Sequence, residues 1–188
     1  VAASAAAAGL VLSSAANAAV MTLAGAPDAN ANQAQTLLSS FGNNLKFTFV
    51  SKSASFTSNL SLVFGNQFIF DNNTAIGTMV TASGPASGLE ILMNILVTNT
   101  GNSWFSGDPA QNADGFVHAQ ISALGGGVFR VAFEDLVIST RPGAEPDFND
   151  FVFDVQEVPL PGAAFLLMSG IAGLGFAAAL AIRDSLIA

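Results

Sequence analysis

Two short runs in the second half of the chain place a large apolar side chain at every second position, a spacing that suits a strand and not a helix. Phe129, Val131 and Phe133 share one parity, with Arg130 and Glu134 on the other. Phe151, Phe153 and Val155 form a second row against Val152, Asp154 and Gln156. A side-chain period of two belongs to a strand with one buried face. Between the rows the chain turns acidic. Seven of its thirteen Asp and Glu residues fall between Glu134 and Glu157. Glu134 and Asp135 close the first row, and Asp147, Asn149 and Asp150 lead into the second. If the two strands are neighbours, both groups meet at one end of a sheet. Calcium takes about six to eight oxygens, from carboxylates, amide carbonyls, peptide carbonyls and water. The candidate ligands are therefore Glu134, Asp135, Asp147, Asn149 and Asp150, with Asp114 joining from the preceding loop. A solvated acidic loop that blunts a strand edge is the competing reading, and residue chemistry leaves the two level. The spacing is not that of an EF-hand loop.

The same stretch, F-E-D-L followed by a short Gly-containing loop and D-F-N-D-F-V-F, resembles the signature of domain-of-unknown-function family 4114. Asp114-Gly115-Phe116-Val117-His118 resembles the D-G-x-x-H segment that often precedes it, so the resemblance covers roughly residues 110–157. It implies an extracellular β domain of a bacterial secreted or surface protein, with calcium dependence, and implies no reaction.

The rest of the middle region reads as further strands. Leu45, Phe47 and Phe49 alternate with Lys46, Thr48 and Val50. Residues 59–64 and 67–71 flank Gly65-Asn66, a loop suited to a tight hairpin. Direct pairing there leaves apolar residues on both faces, Leu62 with Ile69 and Val63 with Phe68, so either both faces are covered or a bulge shifts the register. Residues 78–82 and 89–98 predict two more strands, and residues 116–123 place Val117, Ala119, Ile121 and Ala123 on one face with His118 and Gln120 on the other. A short helix is expected over about residues 33–40, burying Leu37, Leu38 and Phe41. Residues 99–114 read as a long Gly/Asn/Asp loop holding the single tryptophan, Trp104. An exposed Trp104 beside Asp108 could stack on a sugar, but packing of the loop onto the sandwich is the favoured role. About seven short strands with turn signals between them predict an all-β domain, an antiparallel β-sandwich of jelly-roll type. Sixteen Phe and no Tyr suit a dry core between its sheets. Phe47, Phe49, Ile121, Phe129, Val131, Phe133, Phe151 and Phe153 are expected to share that core.

Charge and composition exclude several functions. Residues 19–157 hold twelve acids and four bases, which accounts for the whole net charge of −8. Such a surface repels nucleic acid and anionic membranes and favours cations. Cysteine is absent, so there is no disulfide framework, thiolate zinc site or redox centre. His118 is the only histidine and lacks a serine in a nucleophile-elbow context, which argues for a surface or supporting role. Paired carboxylates such as Glu134 and Asp147 could serve a glycosidase, yet so dense a cluster suits a cation better. No phosphate loop or H-E-x-x-H is present.

The high mean hydropathy of +0.55 sits at the two ends. Residues 1–18 read as the tail of a secretory signal peptide, ending in the small-x-small pattern Ala16-Asn17-Ala18. The domain then spans residues 19–157, and residues 158–188 form a third region. Residues 162–182 carry no charge and would reach roughly 31 Å as a helix, enough to cross a bilayer. Arg183 comes directly after, so the positive-inside bias places the domain outside. Val158-Pro159-Leu160-Pro161, the small-residue core and Arg183 resemble the VPLPA variant of the PEP-CTERM sorting signals. That resemblance implies an exosortase-type membrane peptidase as partner. The family usually ends in several basic residues, whereas Arg183 is followed by Asp184-Ser185-Leu186-Ile187-Ala188, which leaves open a permanent anchor instead of a cleaved one. The expectation is an exported, non-enzymatic cell-surface or matrix protein of a Gram-negative bacterium, stabilised by calcium. The alternative is a carbohydrate-binding module acting on exopolysaccharide through Trp104 and its loop.

Overall fold

The alternating rows form strands, though the one expected over residues 116–123 runs from Ala119 to Gly125 and leaves Ala123 exposed. The computed structural model describes residues 21–25, 34–40, 44–138 and 146–158. The expected signal segment 1–18, Phe41, the membrane helix 162–182, and Pro159, Leu160, Pro161 and Arg183 lie outside the described residues. Among the described residues no helix is long and apolar enough to cross a membrane.

Among the described residues the chain is all-β, with antiparallel pairing throughout. Its strands are β1 (Thr22–Ala24), β2 (Thr36–Leu38), β3 (Asn44–Ser51), β4 (Ser58–Leu62), β5 (Gln67–Asp71), β6 (Met79–Ser83), β7 (Met93–Val97), β8 (Asn102–Phe105), β9 (Ala119–Gly125), β10 (Val128–Phe133) and β11 (Phe151–Val158). A five-stranded sheet has the order β6-β3-β11-β10-β9, a four-stranded sheet the order β5-β4-β7-β8, and β1 pairs with β2.

All eight residues expected to share a core fall in one buried cluster. Phenylalanine rings join the two larger sheets. Phe70 on β5 lies 5.5 Å from Phe49, 5.9 Å from Phe151 and 6.1 Å from Phe153, all on the opposite sheet. The contacts are tilted or edge-on, as ring quadrupoles favour. Along β10 the burial alternates residue by residue, with Phe129, Val131 and Phe133 inside.

The hairpin ambiguity resolves as a bulge. Leu60 pairs with Phe70 and Ser61 with Phe68, so Ile69 is the extra residue. Ile69 and Phe70 are both buried, and Phe68 swings out to 61 % exposure. Gly65 and Asn66 take φ of 71° and 49° to make the turn, a conformation glycine and asparagine tolerate best.

Three expectations are corrected. The segment over residues 33–40 is not a helix: Thr36–Leu38 is a strand paired with Thr22–Ala24. Its neighbour Gln35 hydrogen-bonds the Ile121 peptide in both directions, at 2.7 and 2.8 Å, and this tertiary anchoring overrides helix propensity. The strand expected over residues 89–98 contracts to Met93–Val97, leaving Glu90 in a single bridge to Leu38. The long loop over residues 99–114 contains β8 and a 3₁₀ turn, Pro109–Gln111, capped by the Asp108 side chain.

Candidate metal centre

β10 and β11 are hydrogen-bonded neighbours, with Phe133 opposite Phe151. Their adjacency brings the residues just after Phe133 beside those just before Phe151. Glu134, Asp147 and Asp150 each offer an oxygen within 4.8 Å of the other two. Glu134 is buried, Asp150 half-buried and Asp147 exposed. The cluster thus opens to solvent on one side.

Backbone contacts fix two of the three carboxylates. Glu134 accepts from the peptide nitrogens of Leu136 and Asp147, both at 3.3 Å. Asp150 accepts from the Asp135 nitrogen at 2.9 Å, and its own nitrogen donates to the Phe133 carbonyl. Phe148 has a φ of 47°, unusual for a bulky residue. Its ring is buried with Val117 and Ile138 in a small second cluster. That burial holds the turn between Asp147 and Asn149.

Among the described residues no base pairs with the cluster. Glu134 is pushed up to about 7, by burial first, then by a hydrogen bond to Asp150 and the charge of Asp150, against the lowering effect of its two peptide donors. Asp135 is pushed up to about 6, by burial, then by Asp150, against a lowering contact from Ser58. Among the described residues the ion pairs are His118–Asp114 and Arg130–Asp154, so neither supplies a cation to Glu134, Asp147 or Asp150. Three converging carboxylate oxygens and an open side fit a hard divalent cation, whose charge would reverse the upward shifts.

The other expected ligands stand differently. Asp135 adjoins the cluster, and its Oδ2 accepts from the Ser58 hydroxyl at 3.4 Å. Asn149 reaches the cluster through Asp147, donating from its side-chain amide at 2.6 Å. Asp114 is engaged elsewhere: its Oδ2 takes His118 Nε2 at 2.9 Å and the Ile138 nitrogen at 2.9 Å. It is therefore a support of the neighbouring loop and not a member of the cluster. Glu134, expected to point outward, is only 5 % exposed, because the sheet ends there and the following loops close over it.

His118, expected on the polar face, is wholly buried, and Trp104 is 2 % exposed, in keeping with the favoured packing role, so the alternative sugar platform through Trp104 is withdrawn. The indole nitrogen of Trp104 donates to the Asp135 carbonyl at 3.0 Å, and His118 Nδ1 donates to the Glu134 carbonyl at 3.0 Å. Both are buried donors that need an acceptor. The D-G-x-x-H spacing was the sequence signal that could have tied His118 to Asp114.

Compared with family models, curated proteins and solved structures, the chain matches none of them.

Proposed function

We propose that this chain is an exported, non-enzymatic cell-surface or extracellular-matrix protein, built on a jelly-roll-like antiparallel β-sandwich that calcium stabilises. The observation that carries the proposal is the convergence of Glu134, Asp147 and Asp150 at the shared end of β10 and β11. Calcium suits the site better than magnesium, since a partly open carboxylate set does not impose a rigid octahedron. The family resemblance over residues 110–157 supports the same reading. Export and sorting rest on the sequence of the two ends: the small-x-small pattern before Ala19, and the Val158-Pro159-Leu160-Pro161 motif with its apolar segment and Arg183. An exosortase-type peptidase is the partner these residues imply.

Among the described residues His118 is not paired with a nucleophile. The only histidine spends both ring nitrogens on Glu134 and Asp114.

Thermal unfolding of the chain from Ala19 to Val158, in calcium and in chelator, tests the proposal. A ligand that binds only the native state raises Tm with its concentration. Superimposed melts at millimolar calcium would leave the cluster as a solvated acidic edge. Export is tested separately by mass spectrometry of the envelope fraction, where recovery of the intact chain from the cytosol would refute it.

A further inference from the structure

The two ends of the sheets differ in what they expose. β11 starts at Phe151, beside the carboxylate cluster, and finishes at Val158, roughly 23 Å away at ~3.3 Å per residue. At that far end Val158 faces Asn44, and Asn44 faces Ser83. The Gln67 side chain bonds the Ser83 peptide in both directions, at 2.9 Å each, and reaches the Phe64 carbonyl at 2.8 Å. One row of contacts therefore runs from the end of β11 to the β4–β5 turn. The β9–β10 turn lies at the same end, since Gly125 faces Val128 and Val128 faces Gln156. Val63, Phe64, Leu89, Leu124 and Val158 are between 37 and 56 % exposed. Leu89 belongs here because its carbonyl accepts from Ser39, whose hydroxyl donates to Glu157.

Ile76, Leu136 and Val137 at the carboxylate end are also exposed, by 53 to 73 %, so exposure alone does not single out one end; it marks a protein or membrane contact. The chain beyond Val158 selects between them. Residues 159–161 separate it from the uncharged segment 162–182, and three residues reach at most ~11 Å. We propose that this apolar end of the domain rests in the surface of a lipid bilayer, with Phe64 and Leu124 entering its interfacial layer. The inference rests on the reading of residues 162–182 as membrane-embedded.

The charge distribution fits that orientation. Asp71, Asp114, Glu134, Asp135, Asp147 and Asp150 all lie at the opposite end, as the pairing of Asn59 with Asp71 and of Phe133 with Phe151 requires. Their distance exceeds a screening length of ~8 Å at physiological salt, so they oppose contact with headgroups only weakly. Glu90 and Asp108 sit beside each other at one corner of the apolar end. They favour a tilt that puts the β4–β5 and β9–β10 turns deepest. Apolar side chains held in this way bind an interface in proportion to the area they bury.

Because the chain lacks cysteine, a single introduced thiol labels cleanly. The full chain is reconstituted in phosphatidylcholine vesicles whose acyl chains carry bromine, with an environment-sensitive fluorophore at Phe64→Cys or Leu124→Cys. Ile76→Cys and Val137→Cys report from the carboxylate end, and Phe176→Cys reports on the segment itself. The expected result is blue-shifted, strongly quenched emission at positions 64, 124 and 176, with positions 76 and 137 unaffected. Quenching at 176 while 64 and 124 behave like 76 and 137 would overturn the inference and leave the membrane segment standing. Quenching at 64 and 124 without 176 would uphold the surface contact and reject the embedded segment. Absence of quenching at all three positions would reject both.

Discussion

The imidazole of His118 lies flat on the indole of Trp104, with ring centroids 3.9 Å apart and planes 2° from parallel. The stacked rings donate to consecutive carbonyls, those of Glu134 and Asp135. The peptides that carry the two acidic side chains are thus clamped from one side by a buried aromatic pair. Trp104→Phe keeps a ring in the stack but leaves the Asp135 carbonyl without its donor, which should cost ~1–3 kcal/mol. Urea unfolding would measure this as a lowered midpoint at unchanged slope. An unchanged midpoint would mean that the indole nitrogen contributes nothing.

Asp150 and Asp114 separate ligand from support. Asp150→Asn removes one of three converging charges while keeping an oxygen to accept from the Asp135 nitrogen. In chelator this variant should melt above the parent chain, because like-charge repulsion is relieved, and it should lose the calcium-dependent rise. Asp114→Asn should melt lower, since it weakens the His118 contact, yet keep that rise. Loss of the rise in both variants would return Asp114 to the ligand set.

The dependence on pH comes from the direction of the shifts. Glu134 is held at about 7 and Asp135 at about 6, whereas unfolded carboxyls titrate near ~4. The native state therefore binds more protons across that interval. The contribution of the two groups to stability is fully present below ~4 and is lost as pH rises through about 6 and about 7. In chelator, Tm should fall as pH is raised through this range. Calcium affinity should rise over the same range, with protons released on binding, as titration calorimetry in two buffers of different ionisation enthalpy would record. A flat apo profile would contradict the burial of Glu134.

Neighbouring phenylalanines on β5 give a contrast within the core. Phe70 is 3 % exposed and Phe68 61 %. Phe70→Ala should cost ~3–5 kcal/mol, from lost transfer energy and the cavity among Phe49, Phe151 and Phe153. Phe68→Ala should stay within ~0.5 kcal/mol in solution. Equal losses would mean that the bulge at Ile69 is misplaced.

These contrasts mark where the sequence could be read and where it could not. Period-two alternation carried the central strands, because a half-buried strand is specified by residues two apart; Phe129 to Phe133 came out in the expected phase, as did Phe151, Phe153 and Val155, although Val152 is buried as well. The meeting of Glu134 with Asp147 and Asp150 was also legible, since it needed only that β10 and β11 pair. Burial supplied by other parts of the chain was not legible. Glu134, His118 and Trp104 carry polar atoms, and local pattern places such residues outside. Here Trp104 and His118 stack on each other and bond the Asp135 and Glu134 carbonyls, contacts between segments distant in sequence. Thr36–Leu38 failed likewise: three residues hold too little periodicity to show a strand fixed by a distant glutamine.

The position of β11 has a mechanical consequence. It lies between β3 and β10 and pairs antiparallel with both along most of its length. Its last residue, Val158, is also the point from which the chain runs on. A pull on Val158 along the strand would load the hydrogen bonds to both neighbours together, in shear. An edge strand pulled crosswise would instead yield one bond at a time. Single-molecule extension from the C-terminal side should therefore meet one high rupture event, and a staircase of small ones would argue against it. Whatever holds this chain by its end is gripping the middle of its larger sheet.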